Sequence, residues 1–359
     1  MKLGFFTMPL HPPSRNYVDT LKEDREAIII ADRLGFTEAL VGEHVTDTAE
    51  TVTHCATFIA TLMDATKTIK LGTGTLNLPN GHPAQMAATV SMLDNLLEGR
   101  FVMGISPGGL PSDWEVFGNL SANRNEMFVE CINTMIEIWT REPPYDIQGK
   151  YWSISTAKTM IPDIGQGIFI KPYQKPHPPI VVTAVEPFSR GVTEAAKRGW
   201  HPISANFLLP QWAKSHWGKF VEGREAAGLK VDYRDWRVAK TIFVADDAKT
   251  AQAYAYGPQS PYHFYYKQLG YKLVRAGRAN LFKETKEQPD ASITPEYLVD
   301  KLVIAGNVEQ VTEKLIDFCK FMGPFGTLYY CGMDWVDPAL ARRSMELLAE
   351  RVMPAVSKA

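Results

Sequence analysis

The chain has 359 residues, 45% of them hydrophobic, enough to bury a large core as one enlarged α/β domain or as two average ones. Its 38 basic and 40 acidic residues leave a formal charge of -2 with no long basic tract, which argues against nucleic acid or an anionic membrane as a partner. Cys55, Cys131, Cys319 and Cys331 lack metal-ligand spacing, and MKLGFFTMPL runs at once into His-Pro-Pro, so free thiols, a cytoplasmic location and no membrane span are expected.

Leu3–Thr7 reads as a first strand, followed by the proline-rich loop Met8–Asn16 and a helix over Tyr17–Leu34 that Gly35 ends. Thr37–Gly42 is strand two and runs into Glu43 and His44; helix two spans His54–Thr66. Strand three, Ile69–Thr73, runs out into Gly74, Thr75 and Asn77. His82-Pro83 opens a helix whose apolar residues Met86, Val90, Leu93 and Leu97 recur at helical spacing, and Gly99 stops it before strand four, Arg100–Ile105. A long helix follows over Asn123–Trp139. Residues 141–179, dense in proline and glycine, form an excursion with short strands at Tyr151–Ile154 and Ile168–Ile170.

Ile180–Ala184 is strand five, with a helix from Pro187 to Gly199. His201–Ala205 is a weak strand six, Pro210–Gly228 a helix, and Val238–Ala245 strand seven, with Asp246-Asp247 as turn and helix cap. Residues 251–292 carry seven tyrosine and phenylalanine side chains, from Tyr254 to Tyr271, and then the polar run ETKEQPDAS, for which mobility is expected. Asn307–Phe321 is a helix, Gly326–Cys331 strand eight and Pro338–Val352 the closing helix.

Eight strands interleaved with helices fit a closed (β/α)8 TIM barrel with insertions after strands four and seven better than an open doubly wound sheet. No G-x-G-x-x-G follows strand one, and GISPGG at 104–109 is followed by no Gly-Lys-Ser/Thr, so both nucleotide fingerprints are missing. In a barrel the chemistry lies at strand C-terminal ends. Those ends carry His44; Gly74, Thr75 and Asn77; Ser106; and Val185, Glu186 and Ser189.

His44 suits proton exchange or a hydrogen bond to a ligand oxygen, and equally a structural bond to Glu43 or backbone. Ser189 is an N-cap or part of an anion site. The glycines make turns or let a flat ring approach. Glu43, His44, His54 and His82 fall on different loops with no HExxH or facial-triad pattern, so no metal is expected. No G-x-S-x-G is present, and spacing groups no serine, histidine and acid. The residues by themselves leave a barrel enzyme with a site at His44, or a binding protein without catalysis.

At these positions the sequence resembles the bacterial luciferase-like flavin-dependent monooxygenases over nearly its whole length. The resemblance rests on IADRLGF (30–36), VGEH (41–44), TKTIKLGTGTLNLPNGHPAQMA (66–87), LDNLLEGRFVMGISPGG (93–109), PPIVVTA (178–184), AAKRGW (195–200) and VIAGNVEQVTEKLIDF (303–318), in that order. MPLHPPSRNY and PGGLPSD (107–113) look most like the limonene and diketocamphane monooxygenase branch.

The resemblance implies a single barrel domain over 1–359, with 251–292 as a mobile lid. It also implies non-covalently bound, reduced FMN delivered by a separate NAD(P)H-dependent flavin reductase. Oxygen chemistry would then proceed through a C4a-peroxyflavin on a small apolar substrate, in a homodimer. A deazaflavin (F420)-dependent hydride-transfer enzyme on the same barrel is the alternative. By the same resemblance, His44 is the active-site histidine, Gly74-Thr75 and Ser106 face the flavin ring, and Val185–Ser189 is the phosphate loop. Pro107 stands where luciferase has a phosphate-binding arginine.

Overall fold

The computed structural model describes residues 1–7 and 9–358; Met8, the first residue of the expected loop, and Ala359 lie outside them. Among the described residues, eight parallel strands form the barrel wall: Lys2–Thr7, Glu38–Val41, Lys70–Thr73, Phe101–Ser106, Ile180–Ala184, His201–Ser204, Arg237–Ala245 and Thr327–Cys331. The ring closes at the seventh. Arg237 and Val238 pair with Ile203 and Ser204 on one neighbour and with Thr327 and Leu328 on the other. Lys2–Phe6 then run alongside Thr327–Cys331 to join the eighth strand to the first. The expected barrel is thus the fold observed.

Parallel strands buried on both faces read as continuous apolar runs, and FVMGI at Phe101–Ile105 does so here. The helices carry the complementary stripe. In Val308–Met322 the buried residues are Val311, Leu315, Phe318 and Met322, and an Asn307–Gln310 capping box sets its start. Neighbouring strands approach closely at Gly104, where an added Cβ would stand 2.0 Å from the Thr73 carbonyl oxygen. No helix among the described residues is long and apolar enough to cross a membrane.

Several local expectations are corrected. Leu76–Asn77 is a short extra strand pairing in parallel with Ile105–Ser106, and Val303–Asn307, ahead of the expected helix, is another that pairs with Thr241–Ala245. In the 141–179 excursion the antiparallel pair is Asp146–Gln148 with Ser153–Ser155. Ile168–Ile170 forms no strand, and both isoleucines are exposed. Helix two is shorter than expected, Cys55–Ala60, with His54 as its cap. The tyrosine-rich stretch is largely helical, over Ala248–Tyr256 and Pro261–Arg275, and buries Tyr262, Tyr265 and Tyr266. Those rings are core.

One buried ion pair crosses the barrel between strands two and seven, which are not neighbours. Arg237 donates from Nε to Glu38 Oε1 at 2.8 Å and from Nη2 to Oε2 at 3.1 Å. Burial by itself would raise the Glu38 carboxyl, but Arg237 outweighs it and holds it below its ordinary value. Glu38→Ala should therefore cost about 3–5 kcal/mol in chemical denaturation, because it strands a buried guanidinium. A depressed carboxyl stabilises above its unfolded pKa and ceases to do so as pH falls through the folded one. The wild type should thus lose more stability than the variant on acidification below the carboxylate range, and parallel pH profiles would refute this role.

Candidate active site at the barrel mouth

Helix Pro261–Arg275 lies across the C-terminal ends of the strands. The Tyr265 hydroxyl accepts from Asn206 Nδ2 at 3.2 Å, and the Tyr266 hydroxyl lies 2.8 Å from Thr241 Oγ1. At its far end Lys272 donates to Glu50 Oε1 at 2.8 Å and to Asp47 Oδ2, both on the loop after strand two. This helix roofs the mouth.

Under it stands His44. Its Nδ1 is 3.0 Å from Asp113 Oδ2, and its Nε2 is 3.3 Å from Glu50 Oε2. Asp113 is itself held by the Thr46 amide at 2.9 Å and by the Thr46 hydroxyl at 2.5 Å, so the Nδ1 side of the ring is anchored. Glu50 Oε2 is buried and lacks an aligned donor, which leaves Nε2 as the ring nitrogen with freedom to hold or release a proton. Burial tends to lower the His44 pKa, and Lys272 adds to that; Glu50 and Asp113 together outweigh both and raise it above 6.5. The histidine's partners are therefore these two acids and not Glu43. The Glu43 carboxylate instead accepts from the Cys55 amide at 2.9 Å and the Asn77 amide at 3.3 Å.

Strands three and four bring Thr75, Asn77 and Ser106 into one hydrogen-bonded group. Thr75 Oγ1 donates to Ser106 Oγ at 2.7 Å, and Ser106 Oγ donates to Asn77 Oδ1 at 2.9 Å. The Gly74-Thr75 peptide bond is cis. The Gly108 amide donates to Ser106 Oγ at 3.0 Å, and from the other side Arg124 donates from Nε to the Pro107 carbonyl at 2.9 Å. Arg124 Nη1 and Trp114 Nε1 are buried without partners.

Val185 and Glu186 form a second group, with Ser189 three residues further on, joined to the first by no hydrogen bond among the described residues. Arg278, just after the roof helix, donates from Nη2 to the Val185 carbonyl at 3.2 Å and lies 3.4 Å from Glu186 Oε1. Ser189 precedes helix Arg190–Lys197, but its hydroxyl does not cap it. His11, Glu23 and Asp334 are close enough together to suggest a metal, yet Arg15 already donates to both carboxylates.

Sequence reasoning missed Asp47, Glu50, Asp113, Lys272 and Arg278. Asp113 closes the PGGLPSD segment, so a signal for it was present; no spacing rule links Lys272 to residue 50.

A closed barrel with a histidine between two acids, beside glycine-rich strand ends, defines a small-molecule enzyme site. The luciferase-like monooxygenase family model matches residues 1–323. The 4-hydroxyprotoasukamycin monooxygenase of Streptomyces nodosus subsp. asukaensis is 29% identical over 363 residues, covering 99% of this chain and 92% of that one. The limonene 1,2-monooxygenase of Rhodococcus erythropolis is 25% identical, covering 98% and 85%. Among solved structures, the oxygenating constituent of 3,6-diketocamphane monooxygenase from Pseudomonas putida, a type II Baeyer–Villiger monooxygenase in complex with FMN, superposes with a TM-score of 0.89. It is 28% identical, with 99% of this chain and 98% of that chain covered. The chain belongs to the luciferase-like monooxygenase family, and it is an enzyme of the flavin-dependent monooxygenase class.

The charges around His44 make a signed prediction. In Lys272→Met a cation that opposes protonation is gone, so the His44 pKa should rise further above 6.5. In Glu50→Gln it should fall. Histidine-selective NMR titration of the two variants reads both shifts, and equal values in both would remove these residues from the proton balance.

Proposed function

We propose that the mouth binds reduced FMN non-covalently and that the protein is the oxygenase of a two-component system. A separate NAD(P)H-dependent reductase supplies the flavin, and the substrate is a small apolar organic molecule. The observation that carries this reading is the convergence of His44, the Thr75–Asn77–Ser106 group and a roofing helix at one end of the barrel. The FMN in the 3,6-diketocamphane oxygenase, similar over 99% of this chain, supports the same reading.

The residues present fit the cofactor. Thr75 and Ser106 are partly exposed at the strand ends, so their hydroxyls are open to a ligand. Thr75, Asn77 and Ser106 offer hydroxyl and amide groups to its polar edge. Pro107 cannot serve the phosphate, but the Ser189 hydroxyl, unspent on its own helix, and Arg278 can. When bound, reduced FMN would supply the two electrons that activate dioxygen, one oxygen atom going to the substrate and the other to water. The protein's part is position and dryness. Asp113 orients the imidazole, His44 Nε2 holds or passes the proton, and helix Pro261–Arg275 with its buried tyrosines keeps water from the mouth. The reaction is placed in the cytoplasm, in keeping with four free cysteines. A homodimer completes the reading, with exposed Met92 and Leu96 on helix Pro83–Leu96 as apolar surface for it.

The test is an anaerobic titration with reduced FMN, followed by oxygen and a panel of ketones, terpenes and aromatic compounds. His44→Ala should keep flavin affinity within about threefold while oxygenated product falls by about 10²–10⁴-fold and hydrogen peroxide rises. Ser189→Ala with Arg278→Met should weaken flavin binding and spare the product yield at saturation. Wild-type protein that takes up deazaflavin and no reduced FMN would overturn the assignment.

A further inference from the structure

Strand seven faces two ways. Thr241 and Phe243 join the tyrosines under the roof, whereas Val238, Ile242 and Val244 pack outward against the helices. Lys240 has the outward parity, by the strand's period of two, and is the one charged residue on that face. Its residue exposure is 4%, and its amine has no hydrogen bond or ion pair among the described residues. The amine's neighbour is the face of Phe318, with the ring centroid 5.5 Å away.

Lys240 lies in the wall of a cavity of about 410 Å³ beside the start of the added strand Val303–Asn307. Arg237–Lys240 pair with strand eight, and the added strand is engaged only from Thr241 onward, so the wall changes partners at this point. Phe318 and Phe321 line one side of the cavity; Lys301, Lys314 and Asp300 also line it. Lys301 and Lys314 are already engaged, by Glu284 at 3.1 Å and by the Ala305 carbonyl at 2.8 Å. The space thus holds three ammonium groups to one carboxylate, and the deepest ammonium is the unanswered one.

An ammonium largely withdrawn from water without an anion is destabilising, and burial here holds the Lys240 amine, which meets solvent only through the cavity, down to about 8. An anion in the cavity would relieve that. An inorganic ion would answer the charge but leave the aromatic wall wet, whereas an organic acid meets both. The volume is that of an ordinary small-molecule site.

We propose that this cavity is a second binding site, separate from the barrel mouth, for a small organic monocarboxylate. Its carboxylate pairs with Lys240 and its apolar body lies against Phe318 and Phe321. The site is on the helix side of strand seven, so ligand and flavin do not compete.

The probe is 1-naphthoate, followed by fluorescence anisotropy on the full-length protein, with 1-naphthamide as its uncharged counterpart and inorganic phosphate as the simple anion. Naphthoate should bind saturably, and the amide at least about tenfold more weakly, the scale of one lost charge contact of about 1.4 kcal/mol. Phosphate should not displace it at equal concentration. Lys240→Met, which keeps the stem and removes the charge, should weaken naphthoate at least about tenfold. The variant's thermal unfolding midpoint, at or above that of the wild type, would show that the fold is intact. Should Lys240→Met unfold, Phe318→Leu takes its place, with weaker binding expected. His44→Ala and added FMN should leave the affinity unchanged. Unaltered binding in both cavity variants, displacement by FMN, or the lack of any saturable binding would each overturn the site.

Discussion

The pairing of Arg237 and Val238 with strands on both sides carries more than two registers, because it turns a curved sheet into a closed ring. Closure of a parallel ring sends every strand C-terminus to the same rim, and with them the loops that bear His44, Thr75, Ser106 and Val185. Glycines at points such as Gly104 let the strands approach as closely as the ring demands. Beyond Lys240 the seventh strand is free to take a further partner, and Val303–Asn307 fills that position. The long insertion between them is what supplies the roof.

Charge at the mouth is shared among elements that are remote in sequence. Asp113 comes from the short helix Pro111–Val116 after strand four, Glu50 and Asp47 from the loop after strand two, and Lys272 from the roof helix. Two acids favour the imidazolium, and the lysine moderates them. Docking of the roof and the proton affinity of His44 are thus linked through Glu50, which touches both. A second buried network ties the chain ends together: His11 contacts Asp24 and Asp334, and Arg15 bridges Glu23 and Asp334. In it the His11 pKa, which burial would lower, is lifted to about 9 by Asp24 and Asp334.

The departure at Pro107 has a structural counterpart. An arginine is found near that loop, but it arrives from helix Arg124–Thr140 and donates to the Pro107 carbonyl. Arg124 therefore supports the loop, while Arg278 stands at the strand-five end and donates to the Val185 carbonyl. The two basic groups have separate surroundings. One is buried over Trp114 and the other is partly exposed next to Glu186.

The sequence by itself determined the strands and helices with strong local patterns, and hence the barrel. Short apolar runs ending in glycine, and helical stripes closed by caps, carry that information within a few residues of each other. His44, Thr75, Asn77 and Ser106 were legible as candidates because strand ends are where such a barrel carries its chemistry. Val303–Asn307 is not legible as a strand because the four apolar or small residues Val303–Gly306 before the Asn307 capping box read as readily as a helix approach. The seven-aromatic stretch was open between pocket lining and core, since composition does not say which way a ring points. Only the tertiary structure decided that Tyr262, Tyr265 and Tyr266 are core, that Lys272 reaches Glu50, and that Lys240 lines a cavity with no ion-pair partner of its own among the described residues. Each depends on contacts between residues far apart in the chain, and such contacts leave no period or spacing in a single sequence.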